Sequence, residues 1–491
     1  MKTTTTAPQP KTAVNASWLV AFFGLAYFCQ HFAQAGFISQ PLSLFFKEVL
    51  HYGPKDVTMF FSVLTIPWVI KPIYGLICDY LPLFGYRRKS YLLILSLLAS
   101  GGFLMLSGVS DAATIRTLLL ITAASTAFSD VAVDGLMVEL GNKTGLTARF
   151  QSAQWLWFYF AQAFTSFAGG MFAQYLSPDS ALHYAAMVTA IFPLIVLVAT
   201  WFWVTEEPSQ VNVTQLKTTT RQLGRVIFRS PRLWIAAGFV AFWHFSPSFG
   251  TPMYYHMTDN LHFSQEFIGW TGTVGAFASL LGAWIYKRYL SGQGAAGCQS
   301  WSFRYSLAWG NRLTQLSARL YTRMADGGNR QSLYYRMTKC AAQLSQRTAL
   351  WFYSGLSNNG KVTTRTLLYV TTVLGTLGTV AYLFMVSPAT GTPAMAMALT
   401  VITGPLSAIA TLAILNYAAE NCPKLVEALV FSALMSVYNF AGQGGSMLGG
   451  WLYEDVFGMQ LTPLIWVSTA FTAACFILIP FLPKPLEDGE E

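Results

Sequence analysis

Three charged side chains lie inside long apolar runs, where charge is expensive. Lys71 lies within the run 66–75, and Asp130 and Asp134 lie within a later run. Each such charge costs roughly 2.5–3.5 kcal/mol at the centre of a membrane helix on insertion scales. Two carboxylates four residues apart share one helix face, so in a low dielectric one needs a raised pKa or a cation. Lys71 is the only basic residue well inside the first half, so we predict that these three residues bind substrate or a coupling ion; a structural ion pair is the alternative.

Several uncharged polar residues also interrupt the apolar runs. Such groups most often only hydrogen-bond one helix to another, typically for about 0.6 kcal/mol. Asn439 and Gln443 rank higher because they lie at i, i+4 and interrupt a glycine-rich packing face. We predict that Asn439, Gln443 and Gln34 assist the charged residues, and weaker candidates are Gln30, His31, His244 and Asn416.

A loop signature follows the run that contains Lys71. It reads Gly75-Leu-Ile-Cys-Asp79-Tyr-Leu-Pro-Leu-Phe-Gly85-Tyr-Arg87-Arg88-Lys89. Gly75 and Asp79 lie on the same helix face as Lys71, at i+4 and i+8. Asp79 at a helix end and the arginine pair Arg87 and Arg88 can form charge-assisted bonds. We therefore predict that Gly75, Asp79, Arg87 and Arg88 form a gate; the alternative is that the basic residues only set topology.

The elements that must position these residues are membrane helices. Of 491 residues, 54% are hydrophobic and only 10% are charged, and about 20 consecutive apolar residues suffice for one crossing. Within hydrocarbon the backbone must pair inside its own segment, so a crossing segment is helical. The runs predict twelve helices, at about 16–38, 57–80, 90–109, 114–140, 149–176, 182–204, 232–256, 265–289, 365–386, 394–420, 427–452 and 461–482.

Basic residues predict the orientation of these helices. Placing both termini in the cytoplasm puts 26 of the 30 Lys and Arg residues inside, as the positive-inside rule requires. The polar residues 1–15 contain no apolar core, so we do not expect a secretory signal. The six cysteines are scattered, so we expect neither a disulfide framework nor a metal site.

The two halves of the chain repeat each other. Tyr159-Phe-Ala-Gln-Ala-Phe-Thr-Ser-Phe-Ala-Gly-Gly170 and Asn439-Phe-Ala-Gly-Gln-Gly-Gly-Ser-Met-Leu-Gly-Gly450 share Phe-Ala, Ser and Gly-Gly at one offset. Small residues there let helix backbones approach closely. Six plus six helices in a parallel repeat describe the major facilitator architecture, with its site between the halves. The predicted fold is therefore an all-α integral membrane protein of 12 transmembrane helices in two six-helix halves.

The repeat also reveals an insertion. Gly75 pairs best with Gly282, an offset that leaves about seventy surplus residues between the eighth and ninth helices. The surplus segment, 291–360, is basic and has Asp326 as its only acid. It is either an amphipathic segment lying on anionic lipid or an insertion without a role in transport. The predicted divisions are 1–15, 16–205, 206–231, 232–290, 291–360, 361–483 and an acidic tail 484–491.

Several long strings resemble one family, the folate–biopterin transporters of the major facilitator superfamily. Besides the run around Lys71 and the loop above, they are Gly36-Phe-Ile-Ser-Gln-Pro-Leu42, Phe45-Phe-Lys-Glu48 and Ala127-Phe-Ser-Asp-Val-Ala-Val-Asp-Gly135. The resemblance spans both halves except the insert. It implies import of folates or pterins across a bacterial inner membrane or a plastid envelope. It further implies that Asp130 or Asp134 holds the pterin ring, that Lys71 holds the glutamate tail, and that the other Asp carries a coupling proton.

Three alternatives remain open at this point. A transporter of another organic anion would keep the fold and change the cleft. A membrane-embedded enzyme is disfavoured because no His or Cys constellation lies at membrane depth. A membrane scaffold or sensor would use the insert as its output segment. We expect no cofactor and no nucleic-acid partner, and the absence of a nucleotide-binding motif means that a gradient must supply the energy.

Overall fold

The computed structural model describes residues 16–208, 229–290, 357–358, 361–422 and 427–483, with the isolated positions 218, 221 and 224. The predicted tails 1–15 and 484–491, most of the linker 206–231 and nearly all of the insert 291–360 lie outside the described residues. The described part is almost entirely helical.

The N-terminal half contains eight helices, because two of its long apolar runs are interrupted. They are α1 (Ala16–His31), α2 (Ser39–Glu48), α3 (Pro54–Val69), α4 (Lys71–Tyr80), α5 (Lys89–Leu106), α6 (Ala112–Thr144), α7 (Thr147–Tyr175) and α8 (Pro178–Trp203). A π-helical turn, Phe32–Gly36, follows α1. We call the end of the bundle where α1 begins and α8 ends the proximal end, and the opposite end the distal end.

The described part of the C-terminal half contains seven helices. They are α9 (Pro231–His244), α10 (Gly250–Asp259), α11 (Gln265–Ile285), α12 (Thr364–Ala381), α13 (Pro393–Glu420), α14 (Glu427–Trp451) and α15 (Leu461–Leu478). Short π or 3-10 turns extend four of them, at Tyr286–Leu290, Tyr382–Met385, Leu452–Val456 and Ile479–Phe481. Two short antiparallel strands, β1 (Ser357–Asn358) and β2 (Lys361–Val362), pair Ser357 with Val362 and precede α12.

Eight described helical segments are long and apolar enough to cross a membrane. The chain is therefore an integral, multi-pass membrane protein, and the almost entirely helical structure of its described part confirms the predicted class. Nine of the predicted spans agree with the observed helices to within about four residues at each end. The full count of twelve crossings stays a prediction. The eight segments are Pro54–Tyr80, Lys89–Leu106, Ala112–Gly141, Pro178–Trp203, Gln265–Leu290, Thr364–Met385, Pro393–Glu420 and Leu461–Phe481.

Two predicted helices are wrong as continuous elements: the second breaks at Ile70, and the seventh breaks after His244. The first, predicted to end at about residue 38, ends with a π-helical turn at Gly36, and the prediction missed α2, which begins at Ser39. A proline follows each of the two breaks, at Pro72 and Pro247. Proline lacks the N–H that the helix needs, and its ring clashes with the carbonyl four residues earlier. The break in the second helix matters for function because Lys71 becomes the first residue of α4.

Glycines bring the two halves into close contact; the sequence predicted close approach of neighbouring helices at these positions without indicating which helices meet. A Cβ atom on Gly170 of α7 would lie 2.7 Å from the Cα of Gly269 of α11. Such a distance is shorter than carbon atoms tolerate, so only glycine permits this approach. The equivalent Gly450 of α14 meets Thr58 of α3, where a Cβ would lie 2.3 Å from the hydroxyl oxygen. These two helix pairs join the halves.

Candidate functional site

The predicted ion pair is present in the N-terminal half. The Lys71 ammonium, at the start of α4, contacts Oδ2 of Asp130 on α6. Gln30 of α1 donates from its amide to the other oxygen of the same carboxylate. The Asp130 side chain is 8% exposed and the Lys71 side chain 19% exposed. Three helices that are distant in sequence therefore hold one buried carboxylate.

Lys71 has a second contact, with an aromatic face. Its ammonium lies 4.5 Å from the centroid of the Trp68 ring. A cation over an aromatic ring is attracted by the ring quadrupole. The break at Ile70, where φ is −90° and ψ is 12°, separates the helix of Trp68 from that of Lys71. Part of the lysine charge is thus compensated without any carboxylate.

Asp134 lies one helical turn beyond Asp130 and also faces α1. Its Oδ1 accepts a hydrogen bond from the Tyr27 hydroxyl at 2.5 Å and from the Gln154 amide of α7 at 3.4 Å. The spacing correctly predicted that both carboxylates point the same way. The structure gives them different partners, because the ammonium reaches Asp130 and neutral donors reach Asp134. One face of α6 therefore presents a charge-paired carboxylate beside one held by a phenol and an amide.

Tyr27 and Gln154 are the residues that the sequence prediction missed. Tyr27 precedes Gln30 by three residues, so it shares the face of α1 that meets Asp130. That spacing was a usable signal once Gln30 was considered. Gln154 carries no comparable signal, because its approach to Asp134 depends on how α7 packs against α6.

The other predicted binding residues do not join this cluster. Gln34, in the π-helical turn after α1, and Asn439, on α14, are half-buried and have no side-chain hydrogen bond within the described ranges. Gln443 instead connects the halves. Its amide donates to the Ser62 hydroxyl at 2.8 Å, and its oxygen accepts from Thr65 at 3.1 Å. Roles for Gln34, Asn439 and Gln443 in binding remain predictions.

The loop signature forms a network at the proximal end. Arg88 pairs with Asp79 at 2.9 Å and also contacts Glu139 of α6. Arg87 lies 3.6 Å from the same glutamate. Glu206, just after α8, accepts the backbone N–H groups of Arg87, Arg88 and Lys89 at 2.8–3.2 Å. The sequence predicted the contact of Asp79 with Arg88 but missed both glutamates.

Two glycines in this region differ in how tightly they are packed. A Cβ on Gly135 of α6 would lie 2.6 Å from Nε of Arg88, so the guanidinium rests directly on that glycine. A Cβ on Gly75 would meet only Val131, at an ordinary 3.7 Å. Gly135 is therefore the position that the arginine requires, whereas a gating role for Gly75 stays a prediction.

Ion pairs between the halves lie at the distal end in the described part of the chain. Lys55, in the first turn of α3, pairs with Asp455 at 2.7 Å, and its backbone N–H donates to Glu454 at 2.8 Å. Lys47 of α2 contacts Asp259 of α10. The proximal network, by contrast, lies within the N-terminal half. Among the described residues, the ion pairs between the halves thus lie at the distal end, while the Lys287 ammonium donates a hydrogen bond to Ser152 of α7 at 3.1 Å.

Comparison with known proteins identifies relatives. The BT1 family model matches residues 33–298. A folate-biopterin transporter from Synechocystis sp. is 27% identical over 478 residues, which cover 95% of this chain and 81% of that protein. Probable folate-biopterin transporter 6 of Arabidopsis thaliana is 28% identical, covering 50% of this chain and 51% of that protein. Folate transporter 2 of Plasmodium falciparum is 29% identical, covering 50% and 53%.

Solved structures support the fold independently. The D-xylose-proton symporter matches with a TM-score of 0.63 at 12% identity, over 97% of this chain and 100% of that one. The nucleoside transporter NupG matches with a TM-score of 0.59 at 13% identity, over 94% and 98%. Both have the major facilitator fold. At such low identity the likeness concerns the fold alone, which is the predicted one.

Proposed function

This chain belongs to the BT1 family, and we propose that it imports folates or pterins by alternating access through a site centred on Lys71 and Asp130. The observation that carries the proposal is the buried pair itself. It places one cation and one carboxylate side by side, both largely buried. A folate carries the complementary groups, an anionic glutamate tail and a ring rich in N–H donors.

The chemistry assigns a role to each charged group. A 2-amino-4-oxo pterin ring presents its amino group and ring N–H in a fork that one carboxylate can accept bidentately. We assign this role to Asp130 and the glutamate tail to Lys71. In the bound state the glutamate tail takes the place of Asp130 beside Lys71, and the pterin ring takes the place of Lys71 beside Asp130. Neither charged side chain is then left unpaired in a low dielectric.

Asp134 is the proposed carrier of a coupling proton. Its carboxylate is held by a phenol and an amide rather than by the ammonium. Because Asp134 has no cation of its own, its protonation sacrifices less electrostatic stabilisation than protonation of Asp130 would. In this proposal the ion pairs at the distal end break when that end opens, and the proximal end, where Asp79, Arg87 and Arg88 lie, closes at the same time.

The proposed setting is a bacterial inner membrane, with both termini in the cytoplasm, and a plastid envelope is the alternative. The proximal end then faces the cytoplasm. A transporter of another organic anion remains the second candidate. Unlabelled pterins that fail to compete for uptake would favour it.

The decisive test is uptake of radiolabelled folic acid and 5-formyl-tetrahydrofolate. The host is a bacterial strain that cannot make folate and lacks an importer, expressing the full chain or the chain without residues 291–360. We expect saturable uptake that a protonophore abolishes. Asp130→Asn and Lys71→Ala should remove uptake, and Asp134→Asn should remove the response to the protonophore.

A matched control keeps expression apart from function. Lys143→Ala removes an exposed lysine that pairs with Glu139 within one helix, so it should leave uptake unchanged. Normal uptake by all three site variants would place the site elsewhere. Absence of uptake by protein that is present in the membrane would limit the family assignment to the fold and direct the search to other anions.

A further inference from the structure

A large cavity lies inside the C-terminal half, away from the ion pair. Its volume is about 530 Å³, within the usual range for small-molecule sites. Helices α11, α12, α13 and α15 enclose it, and Trp243 of α9 and Gln162 of α7 also line it. It therefore extends from the core of one half to a helix of the other.

The lining of this cavity carries no charge. Its residues are glycine, serine, threonine, Gln162, Cys475, a few apolar side chains, and the aromatic Trp243 and Tyr382. An anionic group would find no cation there, and an unpaired buried charge is strongly disfavoured. A ligand of this cavity must be neutral in the part that enters it.

The N-terminal half has a matching space that is nearly filled. It is bounded by α1, α5, α6 and α8, the repeat partners of α9, α12, α13 and α15, and its volume is only about 30 Å³. Gln30, which contacts Asp130, lines it. When Gly75 is aligned with Gly282, the large Trp68 aligns with Gly275, which lines the C-terminal cavity. Neither lining carries a charged residue, so the two spaces differ in volume: the N-terminal one is nearly filled and the C-terminal one is hollow.

The cavity wall offers mainly hydrogen-bond acceptors. Thr372, Thr400 and Thr403 each donate their hydroxyl hydrogen to a carbonyl of their own helix, at 2.7–2.9 Å. Thr379 and Thr472 do the same, at 2.9 and 3.0 Å. A hydroxyl whose hydrogen is used can still accept through its oxygen. The complementary ligand therefore brings several donors.

Two features favour a flat ligand. Gly275, Gly378 and Gly404 lie on three facing helices, and a Cβ on each would lie 2.8–3.5 Å from a side chain of a neighbouring helix, so the helices pack closely and the cavity between them is narrow. Trp243 and Tyr382 supply aromatic surfaces, against which planar rings stack favourably. The Gln162 amide, which has no side-chain hydrogen bond within the described ranges, can both donate and accept.

We propose that this cavity is a second binding site, specific for a neutral, flat heterocycle rich in N–H donors, such as an unconjugated pterin. The site is separate from the Lys71–Asp130 pair and excludes the glutamate tail of a folate. It goes beyond the proposed import function, because it gives neutral and anionic substrates different places to bind.

Direct binding to the purified full-length protein tests this assignment. The probe is radiolabelled biopterin, measured by equilibrium dialysis in detergent, with folic acid as the charged comparison. The main variant is Gly375→Leu. A Cβ at Gly375 would meet Thr472 at an ordinary 3.7 Å, so the larger side chain extends into the cavity without displacing the backbone. We expect biopterin affinity to fall by about tenfold or more.

Two further variants separate cavity filling from general damage. Gly238→Leu is the matched control, since Gly238 of α9 has open space around it, and it should leave binding unchanged. Thr403→Val keeps the shape and removes one acceptor, so it should weaken biopterin binding about threefold to tenfold. This variant decides the matter if Gly375→Leu does not fold.

The outcomes distinguish this site from the import site. Biopterin affinity that stays within twofold of the wild type in Gly375→Leu, or in Thr403→Val when Gly375→Leu does not fold, overturns the second site. So does loss of biopterin binding in Lys71→Ala to the same degree as loss of folate binding, because that means one shared site. Folate uptake that depends on Lys71 would leave the import proposal standing in either case.

Discussion

Removing one member of the Lys71–Asp130 pair should destabilise the protein more than removing both. Lys71→Met leaves a carboxylate that is 8% exposed and keeps only the Gln30 amide. Asp130→Asn leaves an ammonium that is 19% exposed and still lies over Trp68. An uncompensated buried charge is costly, whereas a neutral pair of similar shape is not.

The expected magnitudes follow from those surroundings. Breaking a buried pair costs about 3–5 kcal/mol. Lys71→Met should lie near the upper value, because the remaining carboxylate is the more buried group. Asp130→Asn should lie near the lower value, since the ring contact retains about 0.5–2 kcal/mol. The double variant should return to within about 1 kcal/mol of the wild type, which makes the coupling energy between the two positions about 7 kcal/mol.

The assay is unfolding by sodium dodecyl sulfate in mixed micelles, followed by tryptophan fluorescence. Lys143→Met is the control. Its side chain is 61% exposed and pairs within one helix turn, so its loss should cost no more than about 0.5 kcal/mol. Uptake measured on the same variants separates structure from function, because the stable double variant should still fail to transport folate.

Two results would refute this reasoning. One is a cost below about 1 kcal/mol for each single variant, which would mean that water screens the pair. The other is a double variant whose cost equals the sum of the two single costs, which would mean that the charges do not interact. A double variant that transports normally would show that the pair serves stability only.

Three other predictions concern the two ends of the bundle. Gly135→Ala should displace Arg88 and reduce uptake at least tenfold, measured as initial rate against protein in the membrane; an unchanged rate would separate the proximal network from gating. Lys55→Met should loosen the distal end by removing the pair with Asp455, and labelling of a cysteine placed inside that end by a membrane-impermeant maleimide should become faster; equal labelling rates would contradict closure by charge. Burial raises the pKa of Glu454 above its ordinary value of 4.5, so the closed distal end favours the protonated carboxyl and should become less stable as the pH rises from about 4.5. Labelling should therefore accelerate over that pH range in the wild type but not in Glu454→Gln. The same pH response in Glu454→Gln would count against this residue.

The membrane class and the order of the helices follow from the sequence alone. Long apolar runs with few charges have no stable place except in a bilayer or a core, and a crossing run has to be helical whatever its neighbours are. The same local logic predicted that Asp130 and Asp134 share one face of α6. It also indicated Lys71 as the cation, because the first half offers no other basic residue at that depth.

Predicting helices from hydropathy failed where a proline interrupts an apolar run. The predicted second and seventh helices were drawn through Pro72 and Pro247, although each proline removes a backbone donor. The composition of these runs is apolar enough for a span, so hydropathy alone conceals the break. Lys71 owes its position at the first turn of α4 to such a break.

Only the tertiary structure decided which partners the charged groups have. Tyr27 and Gln154 reach Asp134 across 107 and 20 residues of sequence, and Glu206 reaches the loop signature across more than 100. No periodicity encodes such contacts, since they depend on how whole helices pack. The neutral cavity of the C-terminal half has the same origin. Its volume is the space that the side chains of several packed helices leave unfilled. That space depends on how the helices pack, so it cannot be predicted from the order of the residues alone.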